Sequence, residues 1–572
     1  MLASTAMLHR DVVQRKVSKS VALVAGALAV AAWSGPWVLR ADLFEDDAAQ
    51  HTFWLYRYAD PGLFAGDPTA RFFALDSTAP WGYRTLYAAL APYVDVLAAG
   101  EWLAALLFAA CLALGWAIGR RVAPESLRDT GGLLGVGAVA WLVFQRADAL
   151  TPLALQRSFA LPLTLLLLWA LLARRWFWLG ACWLLAAVLY PVIVVVLGLA
   201  GGIALALETR ERRRLPPLWY WNALAGAGAI AIVLVNAGVP ADVGPTVGGR
   251  EALAMAEFGA DGRLRLFGDS PSGTWFRNHL VGLGWAPITL LVLAGAALAA
   301  YVPRTRVPIP RVAWLLLGAG LATWLAARLV LFELYLPNRH ARWAIAAFGV
   351  AACVAGGTAL LGALRQRLVS VTAGRVEAAA AVAVLAAVAM VAVPSALAVW
   401  RKPVDADLER AYAFLRTLPA DTLVGAHPDV ADFVPLRARR AVLASTETSL
   451  PFMQGYYRSL RPRLEASLQA AYATGWAEFD AVLDPWGVDV FVTSPRVWRQ
   501  VGYYAPFDAL VRAARERGLR EGFVLAHPDA SRVLFRSGDV YVVRVGPAGS
   551  AALVASRDAA DPPPATTREE AP

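Results

Sequence analysis

Glu45-Asp46-Asp47-Ala48-Ala49-Gln50-His51 follows the first apolar stretch of the chain and runs directly into Thr52-Phe53-Trp54-Leu55-Tyr56-Arg57-Tyr58. Carboxylates beside a low-dielectric region are costly unless they are paired or solvated. Position therefore matters more here than acidity. The stretch is the first polar interruption after an apolar run at about 20–40. That run is long, and no clear small-x-small cleavage site precedes the acids, so it does not read as an ordinary cleaved signal peptide.

Outward from this point the chain is apolar for most of its length. It has 572 residues, 58% hydrophobic and 17% charged, with mean hydropathy +0.51, which excludes an ordinary soluble globular chain. A helix needs about 20 apolar residues to cross about 30 Å of hydrocarbon. Eleven spans are expected, near 20–40, 85–119, 131–145, 158–173, 176–189, 191–207, 218–238, 279–301, 312–333, 343–364 and 376–400. The third to sixth are short.

Charge sets the expected orientation. The N-terminal tail 1–19 and segments 120–129, 174–175, 208–217, 302–311 and 365–375 hold 19 Lys or Arg in 62 residues. The opposite segments 41–84, 145–157, 239–278 and 334–342 hold 11 in 106, so the basic set belongs inside. Arg174-Arg175 and Arg212-Arg213-Arg214 both fall in that set, which demands an even number of crossings between them. A tight hairpin turning near Tyr190-Pro191 satisfies this. The net charge of +10 then reports topology rather than nucleic-acid binding.

Beyond Trp400 the pattern changes. Thr422–Ala426, Ala441–Ala444 and Val488–Val492 read as short buried strands, Arg532–Arg544 as a hairpin turning at Ser537-Gly538-Asp539, and 406–417, 460–475 and 505–518 as helices. The domain layout expected is a cytoplasmic tail at 1–19, a transmembrane domain at 20–400 with outer loops 41–84 and 239–278, an extracytoplasmic α/β domain at 401–548, and a disordered tail at 549–572. The fold class is thus a polytopic α-helical membrane protein with about eleven transmembrane helices and a C-terminal α/β domain. Cys111, Cys182 and Cys353 lie in apolar spans and act as small hydrophobes. The tetrapeptide Ala-His-Pro-Asp recurs at 426–429 and 526–529 without a surrounding period and reads as coincidence.

Three outer-boundary constellations carry chemistry. On a helix starting near Asp46, Asp46 shares a face with Gln50, Phe53 and Arg57, and Asp47 with His51, Trp54 and Tyr58. Such a helix is expected to lie in the interface, rings down. Either acid suits a general base or a divalent cation (Mg or Mn), with Asp148 a further oxygen donor, and equally suits a helix cap. The second constellation is Leu336-Pro337-Asn338-Arg339-His340-Ala341-Arg342, with Arg328 inside the preceding apolar zone. Arg339 and Arg328 fit phosphate through charged bidentate bonds, with Arg342 an interfacial anchor. The third is Gln156-Arg157-Ser158.

An outer acidic motif after the first span, an aromatic segment behind it, QRSFALPLTLLLLWALLARR from Gln156, a later Leu189-Tyr190-Pro191 and LYLPNRHARW from Leu334 together resemble the GT-C superfamily of membrane glycosyltransferases. That superfamily includes oligosaccharyltransferase catalytic subunits, protein O-mannosyltransferases and lipid A aminoarabinose transferases. The Trp-Trp-Asp-Tyr-Gly signature of oligosaccharyltransferases is absent, which argues against asparagine glycosylation. The resemblance implies a polyprenyl-phosphate sugar donor and transfer to a cell-envelope glycan, lipid or protein at the outer face of a bacterial inner membrane. It implies Asp46 or Asp47 as base, and His51, Arg157, Arg328, Arg339 and His340 as substrate-binding residues. The rival class is a lipid or glycan transporter or flippase, or a non-catalytic scaffold with an outer binding domain. Transporter sites lie near the midplane, whereas these charges lie at the rim.

Overall fold

The computed structural model describes residues 2–40, 43, 46–145, 150–264, 287–301, 306–367, 373–499 and 502–546. Glu45, Asp148, the 265–278 part of the second outer loop, the start of the eighth expected span and the 549–572 tail lie outside the described residues. The chain divides into two compact units that interleave in sequence. The first comprises Met1–Glu45, Ala74–Ala241 and Pro245–Pro403; the second comprises Asp46–Phe73, Asp242–Gly244 and Val404–Pro572.

In the first unit, nine helices among the described residues are long and apolar enough to cross a membrane, from Ser18–Leu39 to Arg375–Trp400. The chain is a multi-pass membrane protein. Of the eleven expected spans, Trp176–Leu189 is short, with 14 residues and about 21 Å of helix, and the described part of 279–301 is the helix Pro287–Ala299. The expected span 85–119 is two elements, Trp81–Leu90 and Val96–Val122, because Asp95 caps the second by accepting from the Leu97 amide at 2.9 Å.

Val96–Val122 and Arg128–Gln145 pack tightly against each other. Gly115 and Gly119 on one face Gly131 and Gly135 on the other, and a Cβ on Gly119 or Gly135 would sit 2.0 Å from the facing carbonyl. Two Gly-x-x-x-Gly runs therefore let the backbones touch. The hairpin expected at Tyr190-Pro191 is present: Trp176–Leu189 ends there, a 3-10 turn covers Pro191–Ile193, and Val194–Arg212 returns. Its two basic ends meet, since Arg174 lies 3.4 Å from Glu208, which also pairs with Arg212. The two helices run out and back, so the basic ends of the hairpin lie together.

The second unit holds a five-stranded sheet: β1 Leu423–Ala426, β2 Ala441–Val442, β3 Val490–Thr493, β4 Val533–Ser537 and β5 Val540–Arg544, in the order β2-β1-β3-β5-β4. β1 pairs parallel to β2 and β3, while β5 pairs antiparallel to β3 and β4. The β4–β5 turn needs Gly538, whose φ is +54°. Helices Ala406–Thr417, Gln454–Ala471 and Asp508–Glu521 accompany the sheet over a core that includes Leu415, Val424, Leu464, Phe479, Val490 and Val542. The two Ala-His-Pro-Asp copies differ: His427 ends β1 fully buried and caps the Pro428–Ala431 turn, whereas His527 is exposed.

The segment 46–73 is built into this second unit. Asp46–His51 is a single short helix and Phe53–Tyr58 a 3-10 helix, so the change of period at Thr52 breaks the two continuous faces expected. The aromatic run is not an interfacial helix. Phe53, Trp54, Leu55 and Tyr56 are buried in protein, with Phe53 packed edge-on against Phe64 and Phe73. Gln50 donates to the Glu447 carbonyl at 2.6 Å, and the Arg439 guanidinium lies 4.1 Å from the Tyr56 ring. Residues 242–244 join the same unit. The Tyr456 amide donates to the Val243 carbonyl at 3.0 Å, and Gly455 is required because a Cβ there would sit 2.3 Å from the Asp242 carbonyl.

Candidate functional site

In the first unit, three helix beginnings converge. The Gln156–Phe159 turn leads into Ala160–Ala173, the Pro191–Ile193 turn into Val194–Arg212, and Asn338–Arg367 starts at the loop after Leu334. Each positions its side chains by local bonds. Ser158 Oγ accepts from the Thr151 amide at 3.2 Å and bonds the Thr151 hydroxyl at 2.7 Å, while the Ala154 amide and carbonyl are held by Gly100 and Tyr87. His340 is 2% exposed and its Nε2 bonds the Leu334 carbonyl at 2.7 Å, which closes the Leu334–His340 loop. Its placement is that of a loop clasp.

Tyr190 sits at the centre. Arg339, Arg157 and Arg342 are all within electrostatic reach of its hydroxyl, as is Tyr335. Trp343 packs edge-on to the Tyr190 ring at 5.5 Å, and the Arg342 guanidinium lies 5.8 Å from the Trp343 ring. Arg157 and Arg342 are 8% and 4% exposed. Among the described residues, Arg339 has two buried guanidinium nitrogens, Nε and Nη1, with no hydrogen-bond partner. Buried unpaired donors are expensive. Three guanidiniums within reach of one hydroxyl, Arg157 ahead of Ala160–Ala173 and Arg339 and Arg342 at the start of Asn338–Arg367, form an anion-holding corner.

Sequence reasoning named Arg157 and Arg339, and the structure brings them together. It missed Tyr190 and treated Arg342 as an anchor. The signal was available for Arg342, which lies three residues from Arg339 on one helix and so shares its face. Arg328, half-buried in the last turn of Arg311–Leu329, is not among the charged groups acting on Tyr190. Glu257, in the outer loop, was also missed: it is 4% exposed, and its Oε1 has no hydrogen-bond partner among the described residues. Its neighbour Phe258 packs against Phe332 at 5.0 Å.

In the second unit, Asp46 begins the short helix and Asp47 is half-buried in its first turn. His51 ends that helix with its ring edge-on to Phe73 at 5.7 Å, and its carbonyl accepts from Trp54 Nε1 at 3.1 Å. A further acid, Asp67, emerges nearby in sequence. Its carboxylate accepts from the Thr69 and Ala70 amides at 3.0 and 3.3 Å, and burial pushes its pKa up to about 6. Both oxygens are occupied by the helix start they cap, so Asp67 reads as structural. Among the described residues, no three His, Cys, Asp or Glu side chains come together to hold a metal ion.

The chain matches no protein-family model, and no curated protein matches it by sequence. Among solved structures it is similar to the Archaeoglobus fulgidus oligosaccharyltransferase tethered with an acceptor peptide containing the NVT sequon. That match is 11% identical, covers 87% of this chain and 72% of that one, and has a TM-score of 0.47. The apo form of the A. fulgidus enzyme gives 12% identity, 84% and 70% coverage and a TM-score of 0.45. The A. fulgidus oligosaccharyltransferase AglB in complex with an inhibitory peptide and a dolichol-phosphate gives 13%, 83%, 69% and 0.42. At these values the likeness carries no argument about substrate or chemistry.

Proposed function

We propose that this chain is an integral-membrane glycosyltransferase of GT-C type, moving a sugar from a polyprenyl-phosphate donor to a cell-envelope acceptor on the outer face of a bacterial inner membrane. The observation that carries the reading is the arginine corner around Tyr190. A corner of two buried guanidiniums and the half-buried Arg339, two of whose donors have no partner among the described residues, suits a phosphate at the membrane boundary better than any neutral ligand.

The chemistry follows from charge. An acceptor hydroxyl attacks the anomeric carbon, the carbon–oxygen bond to phosphate breaks with inversion, and the electron pair leaves on the polyprenyl phosphate. Arg339, Arg157 and Arg342 stabilise that growing negative charge, the kind of preorganised electrostatic contribution that dominates many group transfers. Asp46 or Asp47 takes the acceptor proton; general-base help of this sort contributes about 10²–10⁴-fold. His51 is assigned to the acceptor side, and Arg328 and His340 to support of the donor. In this reading the N-terminus is cytoplasmic and residues 401–548 form an extracytoplasmic domain.

The test is sugar transfer by purified full-length protein from polyprenyl-phosphate sugars, paired with mass spectrometry of envelope glycolipids and glycans from cells lacking the gene. Loss of one glycan modification in those cells, restored by wild type but not by Arg339→Ala, supports the proposal. An unchanged envelope and no transfer would hand the lead to the transporter or scaffold reading.

A further inference from the structure

A cleft of about 940 Å³ runs between the Ser18–Leu39 and Val96–Val122 helices, lined from Lys19 to Leu39 on one side and from Trp102 to Trp116 on the other. Small residues open it: Gly26, Ala27, Ala31 and Gly35 on the first helix, Ala109 and Ala113 on the second. Its floor is closed by helix contact, with Trp33 edge-on to Phe108 at 5.4 Å. Its mouth faces outward, since Leu23 and Leu39 are 74% and 73% exposed and Trp102 is 59% exposed. The wall is apolar; Ser34 Oγ is already spent on the Val30 carbonyl at 2.7 Å.

Dimensions choose the occupant. Lys19 to Leu39 is about 30 Å of helix, the full thickness of the hydrocarbon. The cleft, apolar along that whole length, admits a hydrocarbon chain. A phospholipid acyl chain belongs to one leaflet and stops near the midplane, about halfway along it. A chain that fills the whole length is longer than a leaflet. Tryptophans at both ends, Trp102 and Trp116, mark the interfaces between which it lies.

We propose that this cleft seats the polyisoprenyl tail of the donor lipid, an assignment that rests on the lipid-linked donor of the function proposed above. Gly35 and Gly26 give a direct probe. A Cβ on Gly35 meets nothing within 4 Å, and one on Gly26 meets only Leu112 Cδ1 at 3.8 Å, so Gly26→Leu/Gly35→Leu plugs the cleft without displacing backbone. Leucine also has better helix propensity than glycine.

Full-length protein in nanodiscs is titrated with undecaprenyl phosphate, with geranyl phosphate, and with dioleoyl phosphatidylglycerol as competitor. The expected result is at least about a 10-fold loss of undecaprenyl phosphate affinity in the double variant, with geranyl phosphate affinity unchanged. Equal undecaprenyl phosphate binding by wild type and variant overturns the proposal. So does phosphatidylglycerol competing as well as undecaprenyl phosphate, which would make the cleft an ordinary lipid contact. Tail-dependent binding without any sugar transfer would leave the cleft assignment standing and remove the transferase reading instead.

Discussion

Arg339 offers the most direct measure of the anion corner. Its Nε and Nη1 are buried and unpaired among the described residues, so the ligand-free protein already carries the cost of their desolvation. Arg339→Ala removes that cost together with the charge, and is expected to leave the melting temperature of the ligand-free protein unchanged or raised. A phosphate oxygen in the corner would gain at least one charge-assisted hydrogen bond from Arg339, about 1.5–3 kcal/mol. Its loss weakens phosphate binding about 10- to 150-fold. The readout is thermal stabilisation by geranyl phosphate. At a ligand concentration about 100 times the wild-type Kd, binding adds about 2.7 kcal/mol to the wild type; a variant with about 100-fold weaker affinity gains only about 0.4 kcal/mol. Arg339→Lys should fall between, because an ammonium keeps the charge but lacks the planar fork. A full ligand-induced shift in the Ala variant would refute the phosphate assignment and return Arg339 to an interfacial anchor.

For the acidic pair, Asn is as good a helix cap as Asp, so Asp46→Asn and Asp47→Asn cost only the charge–dipole contribution, about 0.3–1 kcal/mol, if capping is their whole role. If either is the base, sugar transfer by that variant falls at least about 10²-fold at matched thermal stability; near-wild-type rates in both would leave the base unassigned. Asp67 predicts a pH effect of defined sign. Its folded pKa of about 6 lies above the ordinary 3.8, so its contribution is most favourable at low pH and is lost as pH rises through 6. Asp67→Asn should therefore stabilise the protein by up to about 3 kcal/mol at pH 8 and by little near pH 4, read from denaturation at the two pH values; equal effects at both would show that burial does not control this carboxyl. Reporters active only on exported protein should work when fused at Arg84 or Pro403 and fail at Arg213 or Arg367. An active fusion at Arg213 would reverse the orientation.

Much of this protein could be read from its residues in order. Apolar runs located the membrane helices because crossing hydrocarbon imposes a length and a composition that no soluble element needs. Arginine bias paired the ends of the Trp176–Leu189 and Val194–Arg212 hairpin, and Glu208 joins them in space. The β-branched runs after Trp400 lie where β1, β3 and the β4–β5 hairpin form, since alternation and Ser537-Gly538-Asp539 are local signals. Two things were not local. The aromatic run after His51 looks amphipathic and interfacial, yet its rings fill the interior of a unit whose largest part begins only at Val404. Arg342 looks like an anchor until Tyr190, from a different hairpin, is set beside it. Sequence fixes what a segment prefers, because propensity, hydropathy and turn chemistry act within a few residues. Which of two apolar surroundings a ring enters, and whether an arginine meets lipid or other arginines, depends on contacts between distant segments, and only the tertiary structure decides them.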